Sequence, residues 1–339
     1  MSIQQQVSLR PFNTFGLHVE AENFAAFTNV EELQSLLRHA KEKKWPLFIL
    51  GGGSNVLLTQ DVPGLTLHNQ IKGITAIKED DRYVWVKAGA GEVWHDLVLW
   101  TLDRNWGGLE NLSLIPGYVG AAPMQNIGAY GVEIKDTFDH LEAVEMATGA
   151  VRSFSLEACQ FGYRESVFKH ELKGQYIITH VVFRLEKEPT TFHTSYGAIQ
   201  STLADMALTE LSIQAISKAV IRIRQSKLPD PKVLGNAGSF FKNPVIADSR
   251  FRSLQKNYPD MPHYPLPDEE VKIPAAWLIE QSGWKGKRVG ATGTHVKQPL
   301  VLVNYGGATG AEVWQLAQQI QAAVKDAFGI QLEPEVNVW

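Results

Sequence analysis

The sequence predicts an α+β fold in at least two domains. Three observations predict it. The chain has 339 residues, more than one domain of about 100–150 residues holds. Its first glycine cluster lies between two apolar, strand-like runs with no amphipathic helix behind it. Strand patterns dominate from 141 to 185, and helical patterns bracket that region on both sides.

The elements follow in order. Thr28 and Glu31 form a capping-box pattern before a helix with Leu33, Leu36, Leu37 and Ala40 on one side. Pro46 introduces the apolar strand 47–50, which runs into Gly51-Gly52-Gly53-Ser54-Asn55 and on to Val56-Leu57-Leu58. A strand at 83–87, a tight turn at 88–91 and a helix at 93–102 come next. The segment 107–131 carries six glycines and two prolines and almost no charge. It is too apolar for a linker, and a long loop inside a compact domain is usually functional. Lys187-Glu188-Pro189-Thr190 reads as a connector. A helix with Ile213, Ile216, Val220 and Ile223 on one face then ends in Arg222, Arg224 and Lys227, cations that suit a helix C-terminus. Thr309 and Glu312 cap a helix carrying Val313, Leu316, Ile320 and Val324 and stopped by Gly329, and 331–339 is strand-like.

Composition narrows the function. The net charge is -4 without a basic stripe, which argues against nucleic acid. The short cationic run Lys41 to Lys44 reads as a solvated helix end. One cysteine, Cys159, excludes an internal disulfide and fits a reducing compartment. No apolar run approaches the ~20 residues of a membrane span, and the first ten residues have no signal-peptide pattern, so a cytoplasmic protein is expected. Ten histidines without paired-ligand spacing and a single thiol predict no metal site.

Two segments carry chemistry. Glycines after a buried strand let backbone N–H groups approach a phosphate, and Ser54 and Asn55 add donors, although a plain tight turn fits Gly51, Gly52 and Gly53 equally. There is no Gly-Lys-Ser/Thr and no G-x-G-x-x-G, so neither a P-loop nor a Rossmann site is indicated. The second segment is Pro116-Gly117-Tyr118-Val119-Gly120-Ala121-Ala122-Pro123-Met124-Gln125-Asn126-Ile127-Gly128-Ala129-Tyr130-Gly131. Small residues at this density let backbone lie flat against something large, either a partly polar cofactor or another backbone.

Taken together, these two segments resemble the UDP-N-acetylenolpyruvoylglucosamine reductases, flavoenzymes of cell-wall precursor synthesis. Three more blocks agree in order: Phe161-Gly162-Tyr163-Arg164-Glu165-Ser166, then Lys227-Leu228-Pro229-Asp230-Pro231 leading to Gly235-Asn236-Ala237-Gly238-Ser239-Phe240-Phe241-Lys242-Asn243-Pro244, and Leu332-Glu333-Pro334-Glu335-Val336. Thr194-Ser195-Tyr196-Gly197 resembles the tyrosine loop of the family's longer type.

The resemblance implies a vanillyl-alcohol-oxidase-like (PCMH-type) FAD-binding fold over 1–190, in two subdomains that meet near 70. It further implies a connector at 191–225, an α/β substrate domain at 226–330, and a C-terminal strand 331–339 returning to the active site. It implies non-covalent FAD, since no histidine lies within 51–55, held by the two glycine segments, with Gln125, Asn126, Gly128 and Tyr130 among its contacts. NADPH is the implied donor, and the implied product is UDP-N-acetylmuramate. Arg164 and Glu335 match the family's charge stabilisers and Ser239 its proton donor; Tyr163, Tyr196, Arg224, Lys227, Asn243, Tyr264 and Gln298 fall at substrate positions. Two departures stand out. Asn337 replaces the usual basic residue after Pro-Glu-Val, and Ala121 and Ala122 replace hydroxyl residues, leaving the backbone to supply donors there. A sugar or alcohol oxidase on the same flavin fold is the second reading.

Overall fold

A computed structural model describes residues 2–206 and 210–339; residues 207–209, within the expected connector, lie outside the described residues. The chain forms two compact units. One comprises 1–7, 21–52 and 62–226; the other comprises 8–20, 53–61 and 227–339.

The first unit holds two larger sheets and the two-stranded pairing of Gly128–Ala129 with Val132–Glu133. In the smaller of the two larger sheets, Glu20–Phe27, Val62–Asn69 and Leu47–Leu50 run parallel side by side. Parallel strands need a crossover, and the helix Val30–Lys43 supplies it, burying Leu33, Leu36, Leu37 and Ala40 as its spacing predicts. Its cap differs from the expectation by one residue. Asn29 is the N-cap, accepting from Glu32 N–H at 2.8 Å, while the Glu32 carboxylate takes the Thr28 N–H at 2.7 Å. Asn is as good a cap as Thr, so two overlapping patterns competed and the later one won. The helix ends at Lys44 with φ +57, and the cationic run from Lys41 is exposed as expected.

The larger sheet is antiparallel, with Val151–Ser155, Phe138–Glu145, Tyr176–Lys187, Tyr83–Gly89 and Ile74–Glu79 in that spatial order. The helix Trp94–Leu102 packs Trp94, Leu97 and Val98 into its core. Cys159 is buried there, and burial pushes its thiol up to about 12. The 107–131 segment is a chain of short 3₁₀ turns, at Glu110–Leu112, Val119–Ala121 and Pro123–Gln125. The helix Ile213–Lys227 packs Ile216, Val220 and Ile223 with Ile199, Tyr130 and Phe192.

The second unit is built on an antiparallel sheet of Gly235–Ser239, Val301–Asn304, Thr292–Thr294 and Arg288–Val289. The helix Gly310–Phe328 buries Val313, Leu316, Ile320 and Val324. It starts on the Thr309–Glu312 capping box and stops at Gly329 with φ +65, as the sequence predicts. Near the end of the chain Asn337–Val338 pairs in parallel with Val56–Leu57.

Candidate functional site

The candidate residues divide between the two units, and the dividing point falls inside the 51–55 motif. In the first unit, strand Leu47–Leu50 delivers Gly51 and Gly52 against Gly117 and Tyr118. A Cβ on Gly52 would sit 3.0 Å from the Tyr118 ring and 3.1 Å from the Gly117 Cα, so no larger residue fits without displacing backbone. The second segment is laid on the 88–93 turn by backbone hydrogen bonds: Gly117 accepts from Trp94 at 2.9 Å, and Val119 and Gly120 donate to Glu92 and Ala90, both at 2.9 Å. A Cβ on Gly120 would meet the Ala90 Cβ at 2.5 Å. Ala122 is buried in the core, whereas Pro116 and Ala121 are exposed and Gln125 partly so. The N–H groups of 119–122 are spent within the protein, so it is the glycine backbone at Gly51, Gly52 and Gly117, with no cationic side chain of its own, that is suited to a diphosphate held by N–H groups.

Three hydrogen bonds fasten the 162–166 motif to this loop. Asn126 donates to the Gly162 carbonyl at 3.0 Å, Ser166 Oγ donates to Met124 at 2.7 Å, and Arg164 donates to Gly128 at 2.8 Å. Arg164 is not on a strand, as the surrounding pattern suggests. It stands at the tip of a tight turn closed by reciprocal Gly162–Glu165 bonds of 3.1 and 3.2 Å, with φ +58. A left-handed arginine costs about 1–2 kcal/mol, and such strain collects where a side chain must be aimed. Its guanidinium lies 5.4 Å from the Tyr163 ring centre.

Asn126 differs from the expectation of a ligand contact. It is fully buried; its amide also donates to Glu133 at 2.9 Å and its oxygen accepts from Lys135 N–H at 3.2 Å. Its side chain is used inside the protein to hold the arginine turn.

Arg224 is likewise more than a solvated helix end. Its Nε donates to the Leu114 carbonyl at 3.2 Å, and burial lowers its guanidinium from the ordinary value, with Tyr130 acting in the opposite sense. Burial raises the Tyr130 phenol, partly countered by Arg224. Tyr196 is exposed and rests on Gly131, where a Cβ would meet its own at 3.3 Å. The buried Asn111, which no sequence pattern singles out, donates to both the Tyr130 and His193 carbonyls, at 3.1 and 2.8 Å, joining these two loops.

In the second unit, Ser239 ends strand Gly235–Ser239 opposite Val301. Asn236 donates to Pro229 and Leu234 at 3.2 and 2.8 Å and accepts from Gly238 N–H at 2.9 Å, linking the Lys227–Pro231 block to the serine turn. The stretch 333–335 runs antiparallel beside 240–242: Glu335 N–H donates to Phe240 at 2.8 Å, and Lys242 N–H donates to Glu333 at 2.9 Å. Glu335 is thereby fixed beside the residue that follows Ser239. Asn55 supports it, donating to the Glu335 carbonyl at 3.3 Å, and the Asn55 carbonyl accepts the Asn337 side chain at 3.0 Å. The residue that replaces the usual cation is therefore a hydrogen-bonding clip. Gln298 belongs to the turn that leads into Val301, and its backbone carbonyl accepts from Val301 N–H at 3.0 Å. Asn243 Oδ1 accepts from Ala275 N–H at 2.9 Å at the start of helix Ala275–Gln281. Lys227 is exposed at the end of its helix. Tyr264 lies on a separate three-stranded sheet, paired with Lys272. Among the described residues no cluster of His, Cys, Asp or Glu could hold a metal ion, and no helix is long and apolar enough to cross a membrane.

Comparison with known proteins agrees with this division of residues. Residues 230–339 match the C-terminal domain of UDP-N-acetylenolpyruvoylglucosamine reductase, and 21–155 match an FAD binding domain. The reductase of Flavobacterium johnsoniae is 53% identical over 338 residues, covering 100% of both chains. This chain belongs to the UDP-N-acetylenolpyruvoylglucosamine reductase family. The reductase of Amoebophilus asiaticus is 52% identical, covering 100% of this chain and 99% of its own. The crystal structure of the family member from Thermus caldophilus superposes with a TM-score of 0.70 at 26% identity, covering 100% of this chain and 99% of that one. 6-Hydroxy-D-nicotine oxidase from Arthrobacter nicotinovorans shares the fold, with a TM-score of 0.50 at 13% identity over 97% of this chain and 86% of that one. The α+β, vanillyl-alcohol-oxidase-like FAD-binding architecture with a C-terminal substrate domain is the one the sequence predicts, and the family member is an FAD-dependent oxidoreductase.

Proposed function

We propose that this chain reduces the enolpyruvyl group of UDP-N-acetylglucosamine enolpyruvate to UDP-N-acetylmuramate with NADPH, in the cytoplasm, as a step in peptidoglycan precursor synthesis. The observation that carries the reading is the antiparallel stretch that fixes Glu335 beside the Ser239–Phe240 turn, in a chain 53% identical to a reductase of that name. Gly51, Gly52 and Gly117 would hold FAD through their backbone, and the close Gly52–Gly117 approach supports the fit. When bound, FAD would supply the hydride chemistry, with NADPH as electron donor and the terminal carbon of the enolpyruvyl group as acceptor.

The chain's residues manage the charge that follows. Hydride arriving at the methylene carbon leaves an electron pair on the carbon that bears the carboxylate, spread into an enolate-like dianion. Arg164 stabilises that charge, and its left-handed turn, held by Asn126 and Gly128, limits reorganisation. Ser239 Oγ–H donates the proton that completes the reduction. A carbanion is more basic than an alkoxide, so the transfer runs downhill once the geometry is set. Glu335, as the acidic partner, stabilises the same charge. Tyr163, Tyr196, Arg224, Lys227, Asn243, Tyr264 and Gln298 bind the substrate.

Anaerobic stopped flow tests the assignment. Ser239→Ala is expected to let NADPH bleach the flavin band at nearly the parental rate, while reoxidation by the enolpyruvyl substrate slows more than about 10²-fold, the low end for general acid catalysis. Equal losses in both half-reactions would remove Ser239 from the proton-donor role. Rapid reoxidation by oxygen with an alcohol or sugar as reductant would favour the oxidase reading instead.

A further inference from the structure

Beside the crossing of the two glycine segments lies a group of side chains that the reading above does not use. Gly51, Gly52 and Gly117 have no side chains, so nothing of their own fixes how far apart the two backbones lie. The volume between them is supplied by Tyr118: its ring lies 3.8 Å from where a Gly51 Cβ would be and 3.0 Å from that of Gly52.

Tyr118 is itself held. His68, only 7 % exposed near the end of strand Val62–Asn69, stacks on its ring with centroids 6.1 Å apart and planes inclined by 22°. Phe24 also packs against the imidazole, at 5.8 Å. Gln70 Nε2 lies 2.9 Å from His68 Nε2 and donates to the Tyr118 hydroxyl at 3.4 Å, tying ring to ring. The Lys72 ammonium sits 5.2 Å from the centre of the Tyr118 ring and 3.7 Å from the Glu92 carboxylate. Burial, reinforced by Lys72, lowers the His68 pKa from its ordinary value. A neutral ring can accept the Gln70 N–H at Nε2 and still donate from its other nitrogen.

We propose that His68 and Gln70 form a bracket that positions Tyr118 between the two glycine segments, which makes His68 a cofactor-positioning residue for FAD. The inference rests on the FAD assignment and adds to it a residue that lies outside both glycine motifs in sequence. The bracket acts mainly through one aromatic ring, beside a single hydrogen bond between His68 and the Gly51 backbone, so most of its effect on FAD should vanish once that ring is removed.

A double-mutant cycle read by FAD affinity tests this. Apoprotein is titrated with FAD, and the dissociation constant is taken from quenching of flavin fluorescence. His68→Ala and Tyr118→Ala are each expected to weaken FAD about tenfold, equivalent to about 1.4 kcal/mol. The double variant is expected to be weaker than Tyr118→Ala alone by no more than about threefold, short of the tenfold that independent losses would give. His68→Phe, which keeps the stacked ring, is expected to recover FAD affinity to within about threefold of the parent, since ring contact carries most of an aromatic pair's energy. Losses that add in the double variant, or a His68→Ala affinity equal to the parent's, would overturn the bracket. Should His68→Ala fail to fold, His68→Phe and Gln70→Leu carry the test: a Phe variant that loses FAD as badly as Tyr118→Ala, or a Leu variant with unchanged affinity, overturns it. Parental apoprotein that does not bind FAD at all would sink the cofactor assignment itself, a different result from a parent that binds while the variants show no coupling.

Discussion

Replacing Asn126 with Asp changes one NH₂ into one oxygen, at almost constant volume and with little change in tolerance of its φ of +44. Two hydrogen bonds disappear, to the Glu133 carboxylate at 2.9 Å and to the Gly162 carbonyl at 3.0 Å, while the Lys135 N–H keeps its acceptor. A bond to a charged acceptor contributes about 1.5–3 kcal/mol and a neutral one about 0.5–1.5, for a total of about 2–4.5 kcal/mol. The new carboxylate also faces Glu133, a repulsion tempered because Lys135 lies 2.9 Å from that carboxylate. The arginine turn keeps its Ser166 and Gly128 fastenings, so it should loosen rather than detach. Asn126→Asp is therefore expected to lower the denaturation midpoint at pH 8 clearly. It should slow flavin reoxidation by substrate about ten- to hundred-fold, the range for a small displacement of a catalytic group, and leave reduction by NADPH near normal. Acidification that protonates the introduced carboxyl restores a donor, so the stability difference from the parent should narrow below about pH 4. A variant as stable as the parent at pH 8, with an unchanged reoxidation rate, would refute the assignment of Asn126 to holding Arg164.

Further outcomes follow from other sites. Glu335→Gln should fold and bind FAD normally but lose about 10²–10³ in turnover, as for one preorganised electrostatic contact; turnover near the parent's would remove Glu335 from the reaction. His68, His95, His180 and His295 are all lowered by burial from an ordinary 6.5. The unfolded chain therefore takes up protons first, so their stabilisation is present above pH 6.5 and lost as the pH falls below it. Glu110, raised by burial, acts in the opposite direction, stabilising the fold at low pH and losing that contribution as the pH rises through its elevated value. A urea midpoint that falls from pH 7.5 to pH 5.5 is expected; an equal or higher midpoint at pH 5.5 would contradict the histidine balance. Lys44→Gly, at an exposed helix end with φ +57, should stabilise the protein by about 0.5–1 kcal/mol because glycine has no Cβ to strain there; a lower urea midpoint would count against it.

The helices and strands with a regular hydrophobic period were legible in the sequence, because burial on one face leaves its spacing in the residues. Leu33 to Ala40 and Val313 to Val324 are examples. The motifs were legible as well, but not what their side chains do. Asn126 reads as a polar group offered to a ligand, yet it is consumed by partners at 133, 135 and 162 that no local pattern announces. Arg224 fits the rule for a cation at a helix C-terminus, and only the return of the chain at Leu114 buries it. Arg164 lies between two strands, in a turn whose left-handed tip needs tertiary bonds to persist. His68 and Asn111 left no signal, because single polar residues in apolar surroundings carry no period; their partners Tyr118 and His193 lie on loops distant in sequence.

The parallel pairing of Asn337–Val338 with Val56–Leu57 has a consequence for synthesis. Thr59 donates through both its N–H and its hydroxyl to the Trp339 carbonyl, a contact that spans 280 residues. Residues 53–61 thus leave the ribosome long before their sheet partner exists, whereas the helix Val30–Lys43 and the strands around it can close at once. Contacts at such separation are paid for in loop entropy before they return anything, and they form slowly. At about 5–20 residues per second, the early segment waits for more than about ten seconds. Until then 56–57 has no partner strand, and Asn55 has no Glu335 carbonyl to hold. A nascent chain would acquire the glycine loops at 51–52 and 117–120 first and Glu335 last.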